Sequence, residues 1–516
     1  MRSSMLFVAL GLVLLTLTCS KEQGYAPLAP SDQDGVMADA SIQAFARTLA
    51  EQAGWPVEAS GEELAEAGLA LAKGGVAPLM DFERTLIAND IAHYSVRLRV
   101  GPGTYDVIGL HRVVREKRPY QPLKTRKSIF FQHGSSKTFA GMWLPGLASP
   151  STPDDFGMGV FLARHDIDVW GIDQAWALVP ASESNTDFMI DWGLERQVGD
   201  LRTAVAVARL TRILTGCGDA KMILAGFSNG VPTTVSLVNE ESQLPAVRRH
   251  VGGYIPIDCA IKVAEGAPKE AMKSYVAAYQ AIHDGGVYGE QVMFALMADK
   301  VRNDPDGHDF DATLTNVEFV LTVVTGPTLF PGHPFHYWAG VWADGKPAGL
   351  RFTDRELWLD FLASGTAYEP IIWTVEWCGY VAGVMNTSYD DHLGDIRIPI
   401  LNLTPAGGFA EATRYGLSLL GSRDIETLMP SMGLPADRNL PISTSSPRRK
   451  PSTWSGSRCS AGSTPIRRPT GSRSQPGHVH LILRRWLLVQ PPPAVLLTQL
   501  SREHLPPDYF LISLVF

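Results

Sequence analysis

The apolar and polar positions between residues 94 and 230 follow two different periods. Residues 94–100 alternate polar and apolar side chains with a period of two, and residues 105–113 follow a Gly-Pro-Gly turn, which together predict an antiparallel hairpin. Residues 191–215 instead place Leu, Val, Ala and Ile three and four positions apart, which predicts a helix. Short apolar runs typical of buried strands occupy residues 127–134, 167–173 and 221–226. Strands that alternate with helices predict parallel βαβ units, and therefore an α/β protein whose mostly parallel central sheet is flanked by helices.

The chain between residues 259 and 395 interrupts this alternation and is too long for a connecting loop. It is rich in Ala and aromatic residues and has helical spacing at 271–283 and 314–324, which predicts a large, mainly helical cap insertion. A strand at 398–403 follows it. We therefore divide the chain into an N-terminal extension at 20–93, a core at 94–258 and 396–440, and a cap domain at 259–395.

The composition leaves the predicted fold unchanged but argues against several classes of protein. Of 516 residues, 45% are hydrophobic and 19% are charged, which is an ordinary globular balance and excludes wholesale disorder. The net charge of −8 argues against a nucleic-acid-binding protein, which normally carries a basic surplus. Five cysteines without a Cys-x-x-Cys pair indicate neither a disulfide scaffold nor a zinc site.

The first 19 residues have the pattern of an export signal. Arg2 is followed by an apolar run over residues 5–15, which is too short to cross a bilayer comfortably and lies where a secretory signal would. Cys19 comes next, ahead of polar residues, and the segment resembles a bacterial lipoprotein signal, in which that cysteine is lipidated. We therefore expect an exported protein with Cys19 as a membrane anchor. An ordinary signal peptide cut nearby, with Cys19 incidental, is the alternative.

The tail at 441–516 differs from the rest of the chain. It holds 10 Lys and Arg against 2 Asp and Glu, it is rich in Ser, Pro and Arg up to about residue 480, and the helical and strand periods stop near Leu440. A disordered basic tail that meets anionic surfaces is one interpretation. A shifted reading frame of a GC-rich gene is the one we favour.

The strongest chemical signal ends the predicted strand at 221–226, where Gly226-Phe-Ser-Asn-Gly230 fits the pattern Gly-x-Ser-x-Gly. A serine on a tight strand-to-helix turn adopts strained dihedral angles, and the flanking glycines remove side chains that would clash there. Its hydroxyl is then exposed close to a helix N-terminus, whose amides favour developing negative charge. An apolar strand precedes the motif and a predicted helix follows it. Ser228 is therefore the candidate nucleophile, against the simpler interpretation of an idle serine in a glycine turn.

With this motif, residues 94–440 resemble the α/β-hydrolase superfamily. Two further features carry the resemblance: His133-Gly134 at the end of an apolar strand is similar to the His-Gly oxyanion turn of these enzymes, and residues 169–173 resemble the strand that follows it. The resemblance implies that the backbone amides of Asn229 and Ser135 stabilise an oxyanion. It also implies that His133 is structural rather than a catalytic base.

A nucleophilic serine needs a base, and the base needs an orienting carboxylate. The superfamily order of serine, acid and histidine implies Asp424, in a loop after a late helix, as the acid. Asp258 is the alternative, because some members place the acid one strand earlier. His478, in Gly477-His-Val-His-Leu481, resembles a Gly-His-x-Asp turn and is the candidate base, although His480 stands where Asp is common. His392 precedes the last clear strand and fits this order poorly.

These residues predict an exported serine hydrolase of the esterase or lipase type, acting on a small-molecule or lipid-like ester through an acyl-enzyme on Ser228. The alternative is a catalytically inactive binding protein with this fold, or a damaged gene product that lacks its true C-terminal histidine. With neither a dinucleotide fingerprint nor a P-loop in the sequence, we expect no cofactor, and we expect no metal and no nucleic-acid partner. The sequence does not indicate an oligomeric state.

Overall fold

The computed structural model describes residues 39–58, 79–325, 340–343, 346–350, 353–405 and 409–429. Their helices, numbered in chain order, are α1 Asp39–Gln52, α2 Phe139–Trp143, α3 Pro145–Ala148, α4 Met158–Arg164, α5 Leu194–Leu214, α6 Gly230–Gln243, α7 Ala267–Asp284, α8 Phe294–Asn303, α9 Asn316–Thr325, α10 Arg355–Ala363, α11 Ile371–Ala382 and α12 Ala410–Ser418. The strands are β1 Leu79–Ala88, β2 Ile91–Arg99, β3 Val107–Arg118, β4 Gln121–Pro122, β5 Ser128–Gln132, β6 Asp168–Asp173, β7 Met222–Phe227, β8 Val251–Ile257, β9 Gly289–Gln291, β10 Gly340–Ala343, β11 Lys346–Leu350, β12 Tyr368–Pro370, β13 Ile400–Leu403 and β14 Ile425–Leu428.

The centre of the protein is a mostly parallel sheet with the order β1-β2-β3-β6-β5-β7-β8-β13-β14, and β4 pairs with the end of β3. β1, β2 and β3 are antiparallel to their neighbours, whereas β6, β5, β7, β8, β13 and β14 run parallel. β6 and β7 are buried along their whole length, as expected of strands covered on both faces. The predicted fold class is therefore confirmed.

Alternate side chains of the central strands enter two separate cores. Phe130 and Leu224 pack on one side with residues of α1, α5 and α6. Phe131 and Ala225 pack on the other side with residues of α2 and α4. This period of two is what a strand between two helical layers requires. Because helices hold it on both sides, the sheet forms a firm support for the loops at its carboxyl edge.

The sheet begins earlier than the predicted core boundary at residue 94. β1 lies within the segment assigned to the N-terminal extension and pairs with β2 through a ladder with two register shifts. Such shifts break the strict alternation of side chains between the two faces. The period-two signal is therefore weak in this strand, and the sequence did not reveal it.

A cluster of buried charges anchors the sheet to the N-terminal segment. Asp168 accepts two hydrogen bonds from Arg112, at 2.8 and 2.9 Å, and another from Arg212, and all three side chains are almost fully buried. The Arg112 guanidinium lies over the rings of Trp55 and Trp170, with its Cζ 4.5 and 4.9 Å from their centroids. Each arginine therefore depends on Asp168 for its opposite charge, because the burial of all three side chains keeps water away from them.

Between β8 and β13, the described residues form five helices, α7 to α11, and two antiparallel strand pairs, β9 with β12 and β10 with β11. We call residues 259–395 the insertion. Part of it has an apolar core of its own, which includes Met297, Leu321 and Trp358. That the insertion acts as a cap over the serine stays a prediction.

Residues 1–19 and 441–516, on which export, the Cys19 anchor and the shifted reading frame depend, lie outside the described residues. Within the described ranges, no helix combines the length and the apolar character needed to cross a membrane.

Candidate active site

Ser228 lies on the sharp turn between β7 and α6. Its φ of 50° is in the left-handed region, which costs a residue with a side chain about 1–2 kcal/mol. Its backbone N–H donates to the carbonyl of Ile257 at 2.9 Å, and its carbonyl accepts from the N–H of Val231 at 2.9 Å. The side chain is partly exposed, and its Oγ makes no hydrogen bond to the described residues. The turn therefore presents a hydroxyl that no described structural contact occupies.

The two glycines of the motif are required by close backbone approach. A Cβ on Gly226 would lie 2.7 Å from the carbonyl oxygen of Gly230. A Cβ on Gly230 would lie 2.5 Å from the carbonyl oxygen of His133. Real Cβ atoms do not approach backbone oxygens this closely, so any larger residue would displace the turn that carries Ser228.

The glycine turn after β5 lies against Ser228, as the resemblance implies. β5 pairs with β7 in the sheet, and a Cβ on Gly134 would lie 3.0 Å from the Cβ of Ser228. In the described part of the chain, neither the backbone N–H of Ser135 nor that of Asn229 donates a hydrogen bond. Two unengaged amides on either side of a serine, one of them at the N-terminus of α6, can receive a developing oxyanion.

A carboxylate that the sequence did not indicate joins these two residues. Glu369, on β12 of the insertion, accepts hydrogen bonds from the Ser135 hydroxyl at 2.7 Å, the Ser136 hydroxyl at 3.2 Å and the Asn229 side-chain amide at 3.0 Å. The Asn229 amide also donates to the Ser135 hydroxyl. Burial raises the pKa of Glu369, and the hydrogen bonds from Ser135, Ser136 and Asn229 act against this rise. No local motif could have revealed the contact, since 234 residues separate Ser135 from Glu369.

The two candidate acids lie at opposite ends of the parallel strands, Asp258 at the carboxyl end of β8 and Asp424 at the amino end of β14. Asp258 follows β8, the strand next to β7, and is buried with a left-handed φ of 49° like that of Ser228. Its N–H donates to the carbonyl of Leu403 at 2.8 Å, so it continues the row of residues at the carboxyl edge that begins with Ser228. The structure brings these two residues to neighbouring strand ends.

Asp424 is not brought to this edge. It is exposed and immediately precedes β14, and its carbonyl accepts from the N–H of Ile400, where β13 begins. Because β14 is parallel to β13 and β8, this is the amino edge of the sheet. Four residues of strand, about 13 Å, separate Asp424 from the carboxyl end of β14. The sequence correctly indicated a late loop, but strand direction turns that loop away from the serine.

His133 is held as a structural residue. Its Nε2 accepts the backbone N–H of Gln174 at 3.1 Å, and its Nδ1 lies 2.9 Å from the carbonyl oxygen of Gly134 and donates to it. The ring is buried, and burial lowers its pKa, so it stays neutral. Both nitrogens are thus engaged in fixing the turn after β5.

The other two candidate histidines are His478 and His392. His478, the predicted base, lies outside the described residues. His392 lies within the insertion, and its Nδ1 is 3.8 Å from a carboxylate oxygen of Asp395 in a solvent-accessible pair. In the described ranges, no histidine makes a hydrogen bond to the Ser228 hydroxyl. The same ranges contain no group of three or more His, Cys, Asp or Glu side chains arranged to hold a metal ion.

Three features point to the same fold: the strand order, the turn that carries Ser228 and the glycine turn after β5. The chain has the α/β-hydrolase fold. No protein-family model matches it, and neither does any curated protein sequence.

Solved structures with similar folds include a provisionally assigned lipase from Sulfolobus solfataricus, at 14% identity and a TM-score of 0.43 over 68% of this chain and 91% of that one. An E-2-(acetamidomethylene)succinate hydrolase is 12% identical, with a TM-score of 0.34 over 68% of this chain and 92% of that one. A bromoperoxidase from Bacillus anthracis is 9% identical, with a TM-score of 0.32 over 68% and 91%. Likenesses at this level carry no argument about the reaction, because one fold hosts many chemistries.

Proposed function

We propose that this protein is an exported serine hydrolase that cleaves carboxylic esters through an acyl-enzyme on Ser228. The observation that carries the proposal is the environment of the Ser228 hydroxyl. It is partly exposed on a left-handed turn, without a hydrogen-bond partner among the described residues, and next to the unengaged amides of Asn229 and Ser135. A structural serine would be expected to give its hydroxyl to a local partner instead.

In the proposed reaction, the Ser228 Oγ attacks the ester carbonyl carbon while a base takes its proton. The N–H groups of Asn229 and Ser135 hold the negative charge that develops on the carbonyl oxygen. Collapse of this intermediate breaks the bond to the alcohol, which receives the proton from the base. Water then attacks the acyl-enzyme by the same sequence and releases the acid, which restores Ser228.

We propose His478 as the base. Support comes from the direction of the last core strand, because β14 ends with Leu428 at the carboxyl edge of the sheet, the edge on which Ser228 lies. The segment after β14 therefore starts on the correct side to reach the serine.

We propose Asp258, rather than Asp424, as the carboxylate that orients the base. Asp258 and Ser228 end neighbouring parallel strands, whereas Asp424 stands at the other edge. A buried acid next to the nucleophile can hold an imidazole in the required tautomer and stabilise the imidazolium that forms.

The substrate is proposed only as a chemical class. We propose a small-molecule or lipid-like ester, which an enzyme anchored at the cell envelope through Cys19 would meet at a membrane surface. Retention of the protein in the membrane fraction of cells, and its release by Cys19→Ser, would support the anchor. A wild-type protein found wholly in the soluble fraction would contradict it.

The activity is tested with a p-nitrophenyl ester and with labelling by a fluorophosphonate probe. We expect wild-type turnover and labelling, and neither with Ser228→Ala. Asp258→Asn should lower kcat by on the order of 10²–10⁴, as removal of a triad carboxylate does, whereas Asp424→Asn should leave it unchanged. Loss of activity with Asp424→Asn alone would favour the loop acid instead. A folded wild-type protein whose Ser228 stays unlabelled would refute the proposal.

The alternative is an inactive binding protein with this fold, or a damaged gene product. It is favoured by one observation, that the candidate base lies in a Ser-, Pro- and Arg-rich tail unlike the rest of the chain. Translation of the underlying DNA in all three frames tests it. A second frame that continues past Leu440 into a Gly-His turn would assign the base to that frame, and the encoded chain should then fail to turn over esters.

A further inference from the structure

We infer that Glu369 is a positioning residue that holds the two residues of the oxyanion hole, so that the insertion completes the active site rather than only covering it. The inference deepens the proposed function and rests on it.

The contacts of Glu369 converge on the two proposed oxyanion residues, Ser135 and Asn229, and on Ser136, which follows Ser135 in the chain. One carboxylate oxygen, Oε1, accepts from both the Ser135 hydroxyl and the Asn229 side-chain amide, at 2.7 and 3.0 Å. The other, Oε2, accepts from the Ser136 hydroxyl at 3.2 Å. Ser135 lies on the turn after β5, and Asn229 lies at the start of α6. A single side chain thus sets the separation between two segments that are far apart in sequence.

The turn after β5 needs such support because part of it is strained. Ser136 has a φ of 58°, in the left-handed region that side chains disfavour. Its carbonyl accepts from the N–H of Thr366 at 3.0 Å, and the ammonium of Lys137 donates to the carbonyl of Phe361. The insertion therefore holds the turn at three consecutive residues, 135, 136 and 137. Strain of this kind persists where the surroundings over-determine the conformation.

A carboxylate is the appropriate group at this position. Two hydroxyls and one amide point their hydrogens at it, and an ionised carboxylate accepts at both oxygens and donates nothing. Charge-assisted hydrogen bonds of this kind are roughly twice as strong as neutral ones. Glu369 is 7% exposed, so little water competes for these bonds in the native protein. A glutamine at this position would keep one acceptor oxygen and replace the other by an NH2 group, so at least one of the three groups that now donate to Glu369 would lose its acceptor.

Strand pairing within the insertion holds the backbone of Glu369 in place. β12 pairs with β9, with Glu369 directly opposite Glu290 in the register. Burial, together with the neighbouring charge of Glu369, raises the pKa of Glu290 to about 7. The insertion therefore places two carboxylates side by side, which costs stability unless one of them is neutral.

The test compares Glu369→Gln and Glu369→Ala with a matched control, Glu376→Gln, in the full-length protein. Glu376 is also a carboxylate of the insertion with a raised pKa, but it accepts from the backbone N–H of Leu194, at the start of α5, and has no contact with the oxyanion residues. The measurements are kcat and KM for a p-nitrophenyl ester, the affinity for a boronic acid that mimics the tetrahedral intermediate, and thermal unfolding.

We expect kcat to fall about 100-fold with Glu369→Ala, the loss typical of a misplacement of about 1 Å, and about 10-fold with Glu369→Gln. KM should change less than about threefold, since the defect concerns an atom that is charged only in the transition state. The affinity for the boronic acid should fall in parallel with kcat. Glu376→Gln should leave all three unchanged. A purely structural role would instead lower the unfolding temperature and leave kcat of the folded fraction intact.

The outcomes separate this inference from the proposed function. A reactive wild type with unaltered kcat and boronic-acid affinity in folded Glu369→Gln and Glu369→Ala would overturn the positioning role alone. An equal loss of kcat in Glu376→Gln would also overturn it, since any buried carboxylate of the insertion would then have the same effect. A folded wild type that is neither labelled nor active would overturn the proposed function, and this inference with it.

Discussion

Replacing Ser228 by glycine should make the protein more stable while it abolishes the proposed activity. Ser228 has a φ of 50°, a conformation that glycine adopts without a steric penalty. Its hydroxyl makes no hydrogen bond to the described residues, so little native stabilisation disappears with the side chain. Strain stored at a reactive residue is the physical signature of this kind of turn.

The expected gain is the difference between two effects. Removing the Cβ relieves about 1–2 kcal/mol of left-handed strain. The greater freedom of glycine in the unfolded chain takes back about 0.4–1 kcal/mol. The difference lies between about 0 and 1.6 kcal/mol, so Ser228→Gly should raise the free energy of unfolding by about 0.8 kcal/mol, the middle of that range. Ser228→Ala keeps the Cβ and the strain, so it should stay within about 0.5 kcal/mol of the wild type.

The assay is equilibrium urea denaturation of the wild type and both variants, followed by tryptophan fluorescence, with the slopes compared to make sure that only the midpoint moves. Both variants should be unreactive toward the fluorophosphonate. If Ser228→Gly proved less stable than Ser228→Ala, residue 228 would not be left-handed in the native state. The strained turn, and the nucleophile assignment with it, would then lose its basis.

Three further predictions concern the scaffold around the site. Gly230→Ala should abolish fluorophosphonate labelling of Ser228, because the new Cβ would lie 2.5 Å from a backbone oxygen. The control Gly394→Ala should be tolerated, because the space around Gly394 is open. Equal labelling of the two variants would contradict the packing argument. Asp168→Asn should lower the free energy of unfolding, measured by urea denaturation, by about 3–5 kcal/mol, because it leaves two buried arginines without their charged partner. Asp155 belongs to an exposed ion pair, so Asp155→Asn should lower it by less than about 0.5 kcal/mol. Burial raises the pKa of Glu376 to about 7, so the folded state holds this proton more tightly than the unfolded chain, and its contribution to stability should be lost as the pH rises from about 4 through 7. Glu376→Gln should flatten the measured stability over that window, and an unchanged pH profile would show that the carboxyl ionises freely.

The parts of the site that lie close together in sequence could be predicted from it. Gly226, Ser228 and Gly230 act within one turn, and the steric reason for their spacing is local. The same holds for the glycine turn at Gly134, which follows a short apolar strand. Local periodicity also predicted the parallel sheet, because a strand covered on both faces must be apolar throughout.

The proposal of Asp258 rather than Asp424 as the acid rests on the tertiary structure. Chain order and loop character favoured Asp424, but neither states which edge of the sheet a loop occupies. The strand pairing does, because β14 runs parallel to β8 and starts where Asp424 stands. Asp258 was visible in the sequence only as an alternative.

What the sequence alone determined, then, is the alternation of strands and helices and the motif around Ser228, because both follow from contacts between residues a few positions apart. Only the tertiary structure decided that Asp258 stands beside the serine and that Glu369 joins Ser135 to Asn229. Those contacts depend on how strands far apart in the chain are ordered and on which residues of the insertion reach the turn after β5. Side chains brought together in that way leave no period and no motif in the sequence.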